Sequence, residues 1–118
     1  MNGMLQEPSI EKKVYTLHAK FCKTLAHPKR LEILNLLRNN EKSVTELVQL
    51  SRIPQTSMSQ HLGLLRENGV VMARREGKNI YYKVADPKIT QACEMIREAL
   101  FGHLAREEKM AKTILQRR

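Results

Sequence analysis

The chain has 118 residues, 42% of them hydrophobic but only 4% aromatic, which suits one domain with a core of Leu, Ile, Val and Met and excludes two ordinary domains. Its 21 Lys and Arg against 12 Asp and Glu leave a net charge of +9, an excess whose simplest use is a polyanionic partner. No apolar run approaches the roughly 20 residues of a membrane span, the opening Met1 to Leu5 has no character of a secretory leader, and two cysteines are too few for a disulfide framework; a soluble cytoplasmic protein is the expectation.

Residues 1–9 carry Gly3, Pro8 and polar groups without period and are expected to be a flexible leader. Residues 10–118 then form a single domain. Ile10, Val14, Leu17, Phe21 and Leu25 recur at spacings of four and three, one stripe of a helix over about 10–25. His27-Pro28 breaks it, because the residue before proline leaves the α region while Pro28 fits the first turn of a new helix. Leu31, Ile33, Leu34, Leu36 and Leu37 make that second helix apolar nearly all round, hence central, with Asn39-Asn40 as its stop. Ser43 and Glu46 have the spacing of a capping box, which starts a short third helix. Ser51-Arg52-Ile53-Pro54 interrupts it, and Pro54 opens the next.

In the segment from Gln55 to Glu67, Met58, Leu62 and Leu65 lie on one side, and Thr56, Gln60 and Gly63 on the other, with Ser57 and Ser59 flanking. Asn68-Gly69 ends this fourth helix. The period then changes to two: Val70, Met72 and Arg74 alternate with Val71, Ala73 and Arg75. After Glu76-Gly77-Lys78-Asn79 comes Ile80-Tyr81-Tyr82-Lys83-Val84, so a two-stranded hairpin is expected. Asp86-Pro87 launches a last helix with the stripe Ile89, Cys93, Ile96, Leu100 and Leu104, running on towards Met110 and Ile114. Its apolar face exceeds what one monomer covers, which predicts a homodimer through the last helix and the first.

A capped short helix, a turn, a second helix with a polar face and a basic hairpin is the order of parts in a DNA reader. Short polar side chains allow close approach to base edges and phosphates, and Gln55, Thr56, Ser57, Ser59 and Gln60 supply them. Gln60 is the candidate for direct base readout, since a side-chain amide can pair with adenine at two points; Thr56 and the serines suit phosphates. His61 joins the candidate interface but lies towards the apolar side, where packing or orienting fits better than base readout. Arg74, Arg75, Lys78 and Asn79 stand near the hairpin tip, where they can reach phosphates or a minor groove and set affinity and salt dependence.

Four blocks carry a family resemblance: Leu25-Ala26-His27-Pro28-Lys29-Arg30-Leu31-Glu32-Ile33-Leu34, Ser43-Val44-Thr45-Glu46-Leu47, Ser59-Gln60-His61-Leu62 with Leu65-Arg66, and Arg75-Glu76-Gly77-Lys78 leading to Tyr81-Tyr82. Over about residues 17–100 the chain resembles the arsenic-repressor (ArsR/SmtB) family of winged helix-turn-helix regulators. That resemblance implies a mainly α fold with a small β-hairpin, in the order of four helices, hairpin and fifth helix. It also implies a homodimer joined by its terminal helices, and repression of transcription from a palindromic operator in double-stranded DNA.

The family's metal sites are not matched. Where the thiolate site would put cysteines this chain has Ser43 and Thr45, and hydroxyls are poor ligands for soft metals. Of the site on the last helix only Asp86 survives: Lys88, Ala99 and Gly102 stand where imidazoles would, with His103 one position off. No metal, cofactor or inducer is identified. Neither Cys22 nor Cys93 aligns with the cysteine pair of sulfane-sulfur sensors, where Asn35 stands in helix two; they remain candidate redox thiols, Cys93 doubling as a small buried hydrophobe. His18 and Cys22, four apart, could supply half a metal site across a dimer. His18, His27, His61 and His103 form no acid-base or nucleophile constellation, so no enzyme is expected. The competing readings are an architectural DNA binder using basic residues such as Lys109, Lys112, Arg117 and Arg118, and a winged helix serving as a protein-protein module.

Overall fold

Every helix starts where the residues at its head prescribe. In the computed structural model, which describes residues 9–116, helix α1 spans Ile10–Leu25, and the Ser9 hydroxyl accepts from the Lys12 amide at 3.3 Å. The expected leader thus lies outside the described residues except for Ser9, which belongs to the helix cap; Arg117 and Arg118 lie outside as well. Helix α2 spans Pro28–Leu37, with His27 as its N-cap: the ring Nδ1 accepts from the Lys29 amide at 3.1 Å. Helix α3, Val44–Ser51, carries the expected capping box in both directions, Glu46 N donating to Ser43 Oγ and Ser43 N to Glu46 Oε1, each at 3.1 Å.

Between α3 and helix α4, Gln55–Glu67, the chain turns through Arg52 in the left-handed region at φ 62°. Ser51 steadies the turn: its hydroxyl donates to the Leu47 carbonyl at 2.6 Å and accepts from the Ile53 amide at 3.0 Å. Ile53, the apolar plug of the turn, is buried. At the other end of α4, Gly69 at φ 73° allows a Schellman closure, Val70 N donating to the Leu65 carbonyl at 2.9 Å and Gly69 N to Arg66 at 3.1 Å. The two residues flanking that closure, Leu65 and Val70, are both fully buried.

The expected hairpin gains a third strand. Strand β1 is only Lys42–Ser43; β2 is Val71–Glu76 and β3 Asn79–Val84, in the antiparallel order β1-β3-β2 with Ser43 and Arg74 both opposite Tyr81. Two residues show no period, so this strand is invisible in the pattern; Ser43 serves both as a strand residue and as the α3 cap. The β2–β3 turn is the two residues Gly77 and Lys78, with Gly77 at φ 62°, the first-position glycine that a tight hairpin turn needs. Helix α5 runs Pro87–Gln116, and Asp86 Oδ1 accepts from the Lys88 amide at 2.9 Å at its head.

The core gathers Ile33, Leu34 and Leu37 of α2, Leu47 of α3, Met58, Leu62 and Leu65 of α4, and Val71 and Tyr82 of the sheet. It holds α4 from behind along its whole length. Truncating Leu62 or Leu65, neither of which has any exposed surface, would cost on the order of 2–5 kcal/mol each. Only the ends of the outer helices join this core: Phe21 and Leu25 of α1 and Ile89 of α5 pack against it.

Candidate nucleic-acid interface

With Met58, Leu62 and Leu65 facing inward, helical geometry turns the opposite side of α4 to solvent. Gln55, Thr56, Ser59 and Gln60 are exposed there, with Ser57 half-buried at the edge. None of these five side chains makes a hydrogen bond within the described residues, so their donors and acceptors are free for a ligand. Gly63 continues the exposed face one turn on, and Ser59, Gln60, Gly63, Leu64 and Glu67 line a shallow depression along it. Pro54 caps the helix without a side-chain hydrogen bond, which leaves the amides of the first turn and the positive end of the helix dipole facing outward.

His61 differs from its neighbours. It turns to the α2 side, half-buried, where Arg30 Nε donates to its Nδ1 at 3.2 Å and the His27 ring lies 4.7 Å away between centroids. Burial first, then the positive charges of His27, Arg30 and Lys29, hold its pKa below the usual histidine value. Among the sequence candidates on α4 it is the one committed to an internal contact.

The basic pair on the hairpin separates as well. Strand alternation sends Arg74 and Arg75 to opposite faces. Arg74 pairs in a bidentate grip with Glu41, donates to Glu76 at 2.7 Å, and stacks over Tyr81 at 4.6 Å from the ring centroid. That hydrogen bonding pulls the Glu41 carboxyl below the usual carboxylate range and raises the guanidinium still further. Its charge is largely answered inside the protein. Arg75 faces the other way, towards α4, and with Arg66 and Ile80 lines a groove between α4 and the hairpin. Arg75, Lys78 and Asn79 are exposed, and their side chains form no ion pair or hydrogen bond within the described residues. Arg66 is not among the sequence candidates for the interface, although it lies two helical turns after Ser59 on the same edge of α4; the approach of the hairpin joins it to Arg75 in one surface.

Residues 27–72, from the α2 cap into β2, match the arsR family of bacterial regulatory proteins. A biofilm growth-associated repressor of Agrobacterium fabrum is 43% identical over 94 residues, covering 80% of each chain. The crystal structure of Rv0081 from Mycobacterium tuberculosis superimposes with a TM-score of 0.72 at 40% identity, covering 86% of this chain and 98% of that one. The chain belongs to the arsR family of transcriptional regulators. A further solved relative, described as the homodimeric winged helix-turn-helix DNA-binding domain Mb0332 of Mycobacterium bovis, matches with a TM-score of 0.76 at 28% identity over 90% of this chain and 95% of its own.

Three residues at or beside the positions of the family's metal sites make other contacts in this arsR-family chain. Ser43 is tied up in the capping box of α3, Asp86 caps α5, and His103 pairs with Glu107 at 3.0 Å. Among the described residues no group of three His, Cys, Asp or Glu side chains is placed to hold a metal ion. Cys22 is exposed on α1 and Cys93 is buried on the inner side of α5, both as free thiols. No described helix is long and apolar enough to cross a membrane.

Proposed function

We propose that this arsR-family regulator is a sequence-specific repressor that binds a palindromic operator as a homodimer, one α4 in the major groove of each half-site. The observation that carries this is the outward face of α4: Gln55, Thr56, Ser59 and Gln60 stand exposed and unpaired on a helix whose other side is locked into the core. Gln60 reads a base, Thr56 and the serines register on phosphates together with the uncapped first turn, and Arg75, Lys78 and Asn79 hold the flanking backbone. Repression follows the Agrobacterium relative, and dimerisation follows the Mycobacterium bovis one. The dimer is further supported by the apolar residues left open on the terminal helices, among them Val14 and Leu17 on α1 and Ile96 and Leu100 on α5.

The test is footprinting over the promoter of its own operon, with competition by random duplex. Protection of two half-sites about one helical turn apart, surviving roughly a thousandfold excess of random DNA, is expected. Gln60→Ala should cut that discrimination by about 1–3 kcal/mol per half-site. Protection indifferent to sequence would instead favour an architectural binder, the reading that the net charge of +9 supports by itself.

A further inference from the structure

Arg30 joins three helices. From α2, its Nη1 donates to the Thr24 carbonyl in the last turn of α1 at 3.1 Å, and its Nε donates to His61 Nδ1 in the middle of α4 at 3.2 Å. Thr24 is itself buried, its hydroxyl donating to the Lys20 carbonyl at 3.2 Å, so the anchor on α1 is fixed. The buried core beneath α4 is apolar: Met58, Leu62 and Leu65 gather with Ile33, Leu34 and Leu47. Apolar burial sets how deep a helix sits but is non-directional; a hydrogen bond with a defined angle resists rotation about the helix axis. His61 follows Gln60 directly, so a roll of α4 that breaks the Arg30 contact swings the reading side chain by the same angle.

We propose that Arg30 and His61 are a positioning pair that fixes the rotation of the reading helix, with Arg30 anchored on α1 and His61 Nδ1 as the acceptor on α4. The proposal rests on α4 being the DNA-reading helix. His61 thereby leaves the set of DNA-contacting residues and acts through its neighbours.

The acceptor exists only in neutral His61. Protonation turns Nδ1 into a donor facing the guanidinium, with Lys29 and His27 adding like charge from α2 and its cap; α1, α3 and β2, also packed on α4, add no charge to that set. Because the folded-state pKa lies below the ordinary histidine value, the unfolded chain binds the proton first. The contribution is therefore fully present above about pH 6.5 and is lost as pH falls from there through the lowered value. A histidine that merely faced phosphates would do the opposite, tightening DNA binding as it gained charge.

The experiment measures the ratio of operator to random-DNA affinity between about pH 8 and pH 5.5 for the wild-type dimer, His61→Asn and His61→Leu. The carboxamide oxygen of Asn stands close to where Nδ1 stands and does not titrate. The wild-type ratio should fall severalfold on acidification, up to about tenfold per half-site, which is within the worth of one hydrogen bond to a charged group. His61→Asn should hold its ratio across the range, and His61→Leu should be low throughout. An Asn variant that titrates like wild type, or a Leu variant with the full wild-type ratio, overturns the proposal. Histidine ¹⁵N spectra of the DNA-free protein give an arm independent of the operator: His61 should be the Nε2–H tautomer at neutral pH, and α4 amide shifts should move in His61→Leu but not in His61→Asn. Absence of specific binding by the wild type near pH 8 would refute the DNA-reading assignment, and the pair would then stand or fall on those spectra.

Discussion

Gly63 is an expensive residue for its position. A glycine within a helix costs about 0.5–1 kcal/mol relative to alanine, yet a Cβ here would meet nothing within 4 Å inside the protein. On the proposed reading of α4, that space is left for DNA against the exposed face. Gly63→Ala should raise the thermal midpoint by a few degrees while weakening operator binding about tenfold, read by calorimetry and by gel shift; a gain in stability with unchanged affinity would place the DNA elsewhere. Arg52 presents the opposite case, a side chain in a left-handed conformation that suits glycine. Arg52→Val should lose about 1–2 kcal/mol in urea denaturation, because a β-branched residue at positive φ is strained, whereas Arg52→Gly should hold or gain slightly.

Arg74 and Arg75, neighbours on β2, are expected to divide their work by strand alternation. Arg75→Ala with Lys78→Ala should weaken binding to operator and random DNA alike and lower the slope of log K against log salt by up to about 3.6 for the dimer, or about 0.9 for each phosphate that is no longer neutralised. Arg74→Ala should barely move that slope, since Glu41 and Glu76 already answer its charge. A slope change as large for Arg74 as for Arg75 would reverse the assignment. The tie to Glu41 also has a direction in pH: with its carboxyl held below the ordinary range, the stabilisation is present above about pH 4 and fades as pH falls through the lowered value. Much of this is legible in the sequence. The capping box at Ser43, the proline-headed helices, the Asn68-Gly69 stop and the Gly77 turn are local chemistry, and local chemistry is written in neighbouring residues. What is not legible depends on distance along the chain. Glu41 is 33 residues from Arg74, and Arg30 is 31 from His61; no periodicity announces either pair. Strand β1 stays hidden because two residues have no pattern.

At the scale of the molecule the described residues are far from spherical, 64 × 60 × 23 Å with a radius of gyration of 19.8 Å, where a compact chain of about this length has about 13–14 Å. The outer helices account for the difference. On α1, Ile10, Val14 and Leu17 are exposed, and on α5 so are Ile96, Leu100, Phe101 and Leu104, more apolar side chain than a monomer ordinarily leaves open. Ile96→Glu with Leu100→Glu should yield monomers in sedimentation, keep the folded core around Ile33 and Leu62, and lower operator affinity by about 10²-fold or more, because the second half-site is then no longer tethered. A double variant that remains dimeric would move the interface away from α5.

Only Ala85 and Asp86 separate the last strand of the wing from α5. The strand that steadies the wing thus feeds, through a capped and rigid start, a helix of 30 residues, about 45 Å long. Such a helix is a lever with its fulcrum at the wing. A tilt of about 5° displaces its far end by about 4 Å, close to the 3.4 Å rise of one base-pair step. In the proposed dimer, the spacing between the two copies of α4 follows the packing of α5, so substitutions that come nowhere near DNA should change the gap between half-sites that the dimer prefers.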